Sequence, residues 1–333
     1  MAGFRLPPIG TFGVLLFFVH TCLVLMYSME RGGLDGPVLA GNFYVRRLFR
    51  IYPLSILAVL TAVALHLDSG APGIQGLSRA EPVSLGRILS NLFLIQNLVK
   101  PGSIINVLWS LPVEVQMYVI LPFLFLWIHG KKAPVWRLSL LWAVAVPVAI
   151  VHAHLAGASG PASLARRLSF LDYVPNFLPG IIAFALPREP KIRSYFWLPF
   201  ILILIAVYSA VQTATIGWAL CLVLGFAIPF FGEIKTGWLR WISHRIATYS
   251  YGIYLSHQFC IWVVADPLAS FPLWSRVAVL LVGLTAIPIA LYYIVERPMI
   301  KVGAELADKM SNRQLVPATA VPEVAQTAPE SAA

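Results

Sequence analysis

Charge is what this chain has least of. Only 11% of its 333 residues are Asp, Glu, Lys or Arg and 59% are hydrophobic, where soluble domains carry roughly 25% charged residues. No soluble domain of useful size fits beside the apolar runs. Cysteine is scarce as well. Cys22, Cys221 and Cys260 all lie inside apolar runs without metal-ligand spacing, which excludes a disulfide framework and a zinc site and leaves small core hydrophobes. Acidic residues number 14 against 24 basic ones, a balance that suggests nucleic acid until the bases are located. They sit in short loops between apolar runs, the pattern of topogenic charge, so nucleic-acid binding is set aside. Internal repeats strong enough to argue an inverted-repeat transporter are also missing.

What is present is a series of apolar runs long enough to cross a bilayer. They fall at about residues 10–29, 49–67, 107–128, 138–154, 170–186, 195–211, 214–231, 246–264 and 275–295. The fold class is therefore all-α, a polytopic transmembrane helix bundle of about nine spans. The stretch Ser90 to Lys100, with Asn91, Gln96 and Asn97, is too short and polar to span and is expected as a re-entrant or interfacial helix. Counting Lys and Arg on alternate sides puts seventeen of the 24 on one side. By the positive-inside rule that side is cytoplasmic and holds Arg46, Arg47, Arg50 and the C terminus, while the N terminus lies outside. Residues 1–310 form the membrane-embedded domain. The Pro- and Ala-rich residues 311–333 form a disordered cytoplasmic tail.

One carboxylate, Glu114, stands inside the run Val107 to Ile128. A helix starting at Trp109 and rising about 1.5 Å per residue puts it roughly 8 Å into the hydrocarbon, where an ionisable side chain marks a functional site. Pro112 cannot donate to the carbonyl of Leu108, so the first turn is expected to kink and leave a bare acceptor near the acid. The plainer alternative is a Glu hydrogen-bonded to a neighbouring helix for packing. His20 and His257 both reach mid-bilayer depth, and a neutral imidazole has the pKa for general-base work. Each could also be a structural histidine bonded across to another helix. His66, His129, His152, His154 and His244 fall at span ends or in loops and read as interfacial.

Arg46, Arg47 and Arg50 in FYVRRLFRIYPL stand at the mouth of the second span. They can anchor the helix to anionic headgroups, or clamp phosphate oxygens with their planar forks. Tyr52 and Pro53 kink the span just inside and open a groove beside them. Glu296, followed by Arg297 and Pro298, reads as the end of the last helix, with Pro stopping it at the interface.

Four separated motifs carry a family resemblance: FGVLLFFV (Phe12 to Val19), FYVRRLFRIY (Phe43 to Tyr52), WSLPVEVQMY (Trp109 to Tyr118) and SYGIYLSH (Ser250 to His257). FLPGIIA (Phe177 to Ala183) and VERP (Val295 to Pro298) are weaker echoes. In this order the chain resembles the acyltransferase-3 family of integral membrane O-acyltransferases. The resemblance implies acyl transfer, acetyl expected, from a cytoplasmic acyl-CoA cosubstrate to a hydroxyl of a glycan or lipid acceptor in a bacterial inner membrane, with no bound cofactor or metal. It implies donor binding by Arg46, Arg47 and Arg50 and substrate contacts from Trp109, Ser110, Tyr118 and Tyr254. His20, Glu114 and His257 are the catalytic candidates, His20 the first choice as base. The family's first span, bearing an Arg and a His eleven residues later, has no counterpart here, which implies a truncated chain. A proton-coupled transporter or flippase, or an inactive truncated member, are the rival readings. The acyl group, the acceptor and the oligomeric state are left open by the residues.

Overall fold

Long apolar runs in lipid must satisfy their own backbone, and helices do so within one segment. A computed structural model describes residues 9–68, 77–79, 83–99, 102–129, 135–158 and 167–315. Twelve α-helices run through them. They are α1 (Ile9–Gly32), α2 (Gly36–Ala64), α3 (Leu85–Leu92), α4 (Gln96–Val99), α5 (Ser110–His129), α6 (Val135–Ala158), α7 (Val174–Ala185), α8 (Trp197–Val211), α9 (Ala214–Ala227), α10 (Gly237–Ala265), α11 (Leu273–Leu291) and α12 (Arg297–Leu315). Extended pairing among the described residues is confined to a two-residue antiparallel ladder, Leu67–Asp68 against Ser78–Arg79, and an isolated parallel bridge between Ile192 and Phe231.

Six helical segments are long and apolar enough to cross a membrane among the described residues. They are Gly10–Gly32, Gly36–Ala64, Asn106–His129, Val135–Ala158, Ser194–Val211 and Leu273–Asn312. Each of the nine apolar runs holds a helix, but Val174–Ala185 and Ala214–Phe230 are shorter, and α10 opens on a segment carrying Arg240, His244 and Arg245. Nine full crossings therefore do not follow from helix length.

The core lies where α1, α2, α5, α7, α9 and α10 meet. Phe18 stacks on Phe177 with ring centroids 4.2 Å apart. Gly180 of α7 brings its backbone against the Val19 carbonyl and Cys22 so closely that any Cβ would clash. At the other side of the bundle Gly303 of α12 lies against Phe49 of α2, where an added Cβ would stand 2.5 Å from the Phe49 Cβ.

Two sequence expectations are corrected here. The second helix starts at Gly36, capped by Asp35, rather than near Phe49, because Gly36 to Leu48 is held in the helix by α12 along its side. Arg46, Arg47 and Arg50 consequently lie well inside α2, about 15 to 21 Å from its start. The last helix does not stop at Pro298. A π-turn, Tyr292–Glu296, joins α11 to α12, and this wider turn carries the helix past a proline that lacks an N–H to donate. Residues 311–315 continue α12 instead of opening a disordered tail; the rest of that tail, 316–333, lies outside the described residues.

Candidate active site

The site is built from the chain that leads into α5. In place of one re-entrant helix there are two short ones, α3 and α4, broken at Leu94, whose φ is +54°; Lys100 lies outside the described residues. Their polar side chains turn inward. The Asn91 side-chain amide donates to the carbonyls of Arg87 and Gly102 at 2.9 and 3.0 Å, and its oxygen accepts from the Ile104 N–H at 3.0 Å. Arg87 in turn forks onto the buried Asp68 carboxylate at 2.5 and 2.8 Å. Gln96 Nε2 donates to the Leu108 carbonyl at 3.0 Å.

That last bond answers the question posed by Pro112. The expected bare acceptor is Leu108, and Gln96 covers it. Pro112 causes no break, because a 3-10 turn, Asn106–Trp109, precedes α5 and the proline falls in the first turn of the helix, where no N–H is needed. Phe18, about 13 Å along α1 at about 1.5 Å per residue, meets Trp109 edge-on. Glu114 faces Cys22 of α1, roughly 20 Å along that helix from its start.

Glu114 is buried, 6% exposed. Tyr118, one turn on, donates its hydroxyl to Glu114 Oε1. The Tyr118 ring meets Phe43 edge-on at 5.9 Å, and the guanidinium of Arg47 lies over the other side of the same network, 5.9 Å from the Phe43 centroid. Arg47 and Arg50 both lie within coulombic reach of Glu114. Arg47 Nε is buried with no hydrogen-bond partner. The other two arginines are engaged: Arg46 with Asp308 of α12 at 2.6 Å and with Asn42 at 2.7 Å, Arg50 with Glu296 at 3.1 Å.

From α10, Tyr254 Oη donates to the Val107 carbonyl at 2.6 Å and stands 2.7 Å from Ser110 Oγ. Tyr251 Oη donates to the Ile51 carbonyl at 2.7 Å. The motifs around Arg47, Trp109 and Tyr254, far apart in sequence, thus close on one buried polar cluster. Trp109 itself is half-buried and packs against Phe18 and Tyr173.

The two histidines part company. Cys22 is the α1 residue that faces Glu114 closely enough to feel its charge. His20 precedes it by two residues, about 200° round the helix, and is exposed beside Phe17 and Val24 with no side-chain hydrogen bond among the described residues. The structure does not bring His20 to Glu114. His257 is half-buried one turn beyond Tyr254, its ring 6.1 Å from the Tyr254 ring. Its Nδ1 lies 2.7 Å from the Tyr254 carbonyl. A carbonyl can only accept, so Nδ1 carries the hydrogen and Nε2 presents a lone pair.

Other polar residues noted in the sequence are paired as well. Glu296, which the VERP stretch marks as a helix end, is 1% exposed and paired with Arg50. Asn97 and Gln116 exchange two side-chain bonds at 3.0 and 3.2 Å. His152, read as interfacial, is buried, with Nδ1 2.6 Å from Asp172 Oδ1.

A family model described as an acyltransferase domain, Acyl_transf_3, matches residues 2–294. No curated protein and no solved structure matches the chain.

Proposed function

The chain belongs to the acyltransferase-3 family, an integral multi-pass membrane protein and an acyltransferase, and on that premise we propose that it moves an acyl group, acetyl in the first instance, from acyl-CoA to a hydroxyl of a glycan or lipid. The observation that carries this reading is the cluster of Glu114 and Tyr118, both buried in α5, with Arg47 of α2, half-buried and with its Nε shielded from solvent. Groups so costly to sink in lipid are retained for chemistry.

In the proposed reaction the acceptor oxygen attacks the thioester carbonyl. His257 Nε2 takes the hydroxyl proton, as its fixed tautomer allows. Arg47, with an unpaired N–H, meets the negative charge that develops on the carbonyl oxygen. Collapse of the intermediate breaks the C–S bond, and the CoA sulfur leaves with the proton returned by the imidazolium. Glu114, held by Tyr118, orients the acceptor hydroxyl or balances Arg47. His20 is the weaker base on this geometry. Arg46 and Arg50, already paired with acids, shape the donor channel, while Trp109, Ser110 and Tyr254 line it. The side bearing Arg46 and the C terminus is proposed as cytoplasmic, in a bacterial inner membrane, in keeping with the charge count.

The test is thiol release from acetyl-CoA by purified protein, together with transfer of labelled acetyl in membranes. Glu114→Gln and Arg47→Ala should each abolish transfer without lowering the amount of protein in the membrane. Unchanged transfer in both variants refutes the site.

A further inference from the structure

The first third of α10 is unlike the rest of the bundle. Residues 237–247 are exposed on every side, although the same helix is packed from Tyr249 onward. At its base a shallow cavity of about 800 Å³, open over most of its boundary, lies among Glu233, Ile234, Arg240, Trp241, Ser243 and His244. The charges there are unequally committed. Glu233 is paired with Arg188 at 3.0 Å, and Arg245 lies over the Trp241 ring at 5.3 Å and donates to Tyr249 at 3.1 Å. Arg240 and His244 make no side-chain hydrogen bond or ion pair among the described residues.

Spacing links this cavity to the buried cluster. Arg240, His244, Ala247, Tyr251, Tyr254 and Gln258 follow one another at intervals of four and three, so they form one continuous face of α10. Tyr251 and Tyr254 on that face bond to the backbone beside Arg50 and to the turn before Glu114. From Arg240 to Tyr251 the face runs about 16 Å. A pantetheine arm, two amide units and their methylene spacers, spans about 15 to 20 Å when extended.

We propose that this cavity receives the phosphate-bearing nucleotide end of the acyl-CoA donor, with Arg240 and His244 as its ligands, and that the pantetheine arm lies along the shared face of α10 to present the thioester at Tyr251 and Tyr254. This rests on the acyltransferase reading. Its physical ground is that Arg46 and Arg50 already have carboxylate partners, whereas Arg240 and His244 offer uncommitted donors to an anion.

The experiment compares acetyl-CoA with S-acetylpantetheine, which lacks the nucleotide, on protein in phosphatidylcholine nanodiscs, following thiol release. The Arg240→Ala/His244→Ala double variant should raise KM for acetyl-CoA about tenfold or more with kcat unchanged, and should match the wild type on S-acetylpantetheine. Adenosine 3′,5′-bisphosphate should compete with acetyl-CoA in the wild type and lose potency by a similar factor in the variant. If KM for acetyl-CoA is unchanged while the wild type turns over, the nucleotide site is wrong and the acyltransferase reading stands. Equal losses on both donors, or a defect seen only in discs containing phosphatidylglycerol, overturn the proposal in favour of a structural or lipid-headgroup role. If the wild type turns over neither donor, the acetyl-donor reading falls, and direct binding of adenosine 3′,5′-bisphosphate to wild type and variant still decides the site: equal or absent binding overturns it.

Discussion

The Arg50 guanidinium stands 3.1 Å from Glu296, whose carboxylate is shielded from solvent within the π-turn that joins α11 to α12. Neither oxygen of Glu296 has a hydrogen bond of good geometry, so Arg50 is its main electrostatic partner. Removing one member leaves the other charge in the bundle alone.

Arg50→Ala should therefore destabilise the protein more than Glu296→Gln. The expected loss is about 3 kcal/mol for the former, since it strands a buried carboxylate, with a smaller change for the neutral amide. Thermal unfolding in detergent, followed by tryptophan fluorescence, ranks the two; the reverse order would show that Glu296 does not depend on Arg50.

Gln96→Leu should cost about 1 to 3 kcal/mol, because it uncovers the Leu108 carbonyl next to the site while keeping side-chain bulk. Gln96→Glu, which retains an acceptor but not the donor, should be no better. Recovery of wild-type stability in the Glu variant would mean that the amide bond to Leu108 carries little.

Gly303→Leu should separate α12 from α2, since even a Cβ meets Phe49 at 2.5 Å. Overpacking of about 1 to 3 kcal/mol is expected, together with greater protease sensitivity of the C-terminal helix. Pairing it with Phe49→Ala should return part of that loss; no rescue argues against this contact as its origin.

His257→Ala and His20→Ala separate the two candidate bases. If His257 takes the proton, its removal lowers turnover about 100-fold or more, and His20→Ala, on the exposed stripe of α1, leaves it within a few-fold. Comparison of kcat for the two variants at equal membrane abundance decides; the opposite ranking restores His20 as the base.

The legible part of the site was the set of motifs. WSLPVE placed Glu114 in an apolar run and SYGIYLSH placed Tyr254 and His257 on a helix, and the structure brings these to one cluster. Illegible were the partners. No local pattern ties Gln96 to Leu108, twelve residues on, since that bond depends on how the intervening chain turns back; Arg46 and Asp308, 262 residues apart, meet only when α2 and α12 are packed. The orientation of His20 was illegible for a related reason: its depth follows from residue count, but the side of α1 it faces depends on which neighbours surround that helix.

That this is a helical membrane protein with a few ionisable groups sunk in it follows from residue order alone, because transfer of charge into lipid is so costly that composition and run length constrain the answer. Packing was needed to show what Glu114 faces, which arginines are already paired with carboxylates and which histidine adjoins the cluster. Those depend on where helices start and how they are rotated against one another, and helix contacts between distant segments, not the local order of residues, set both.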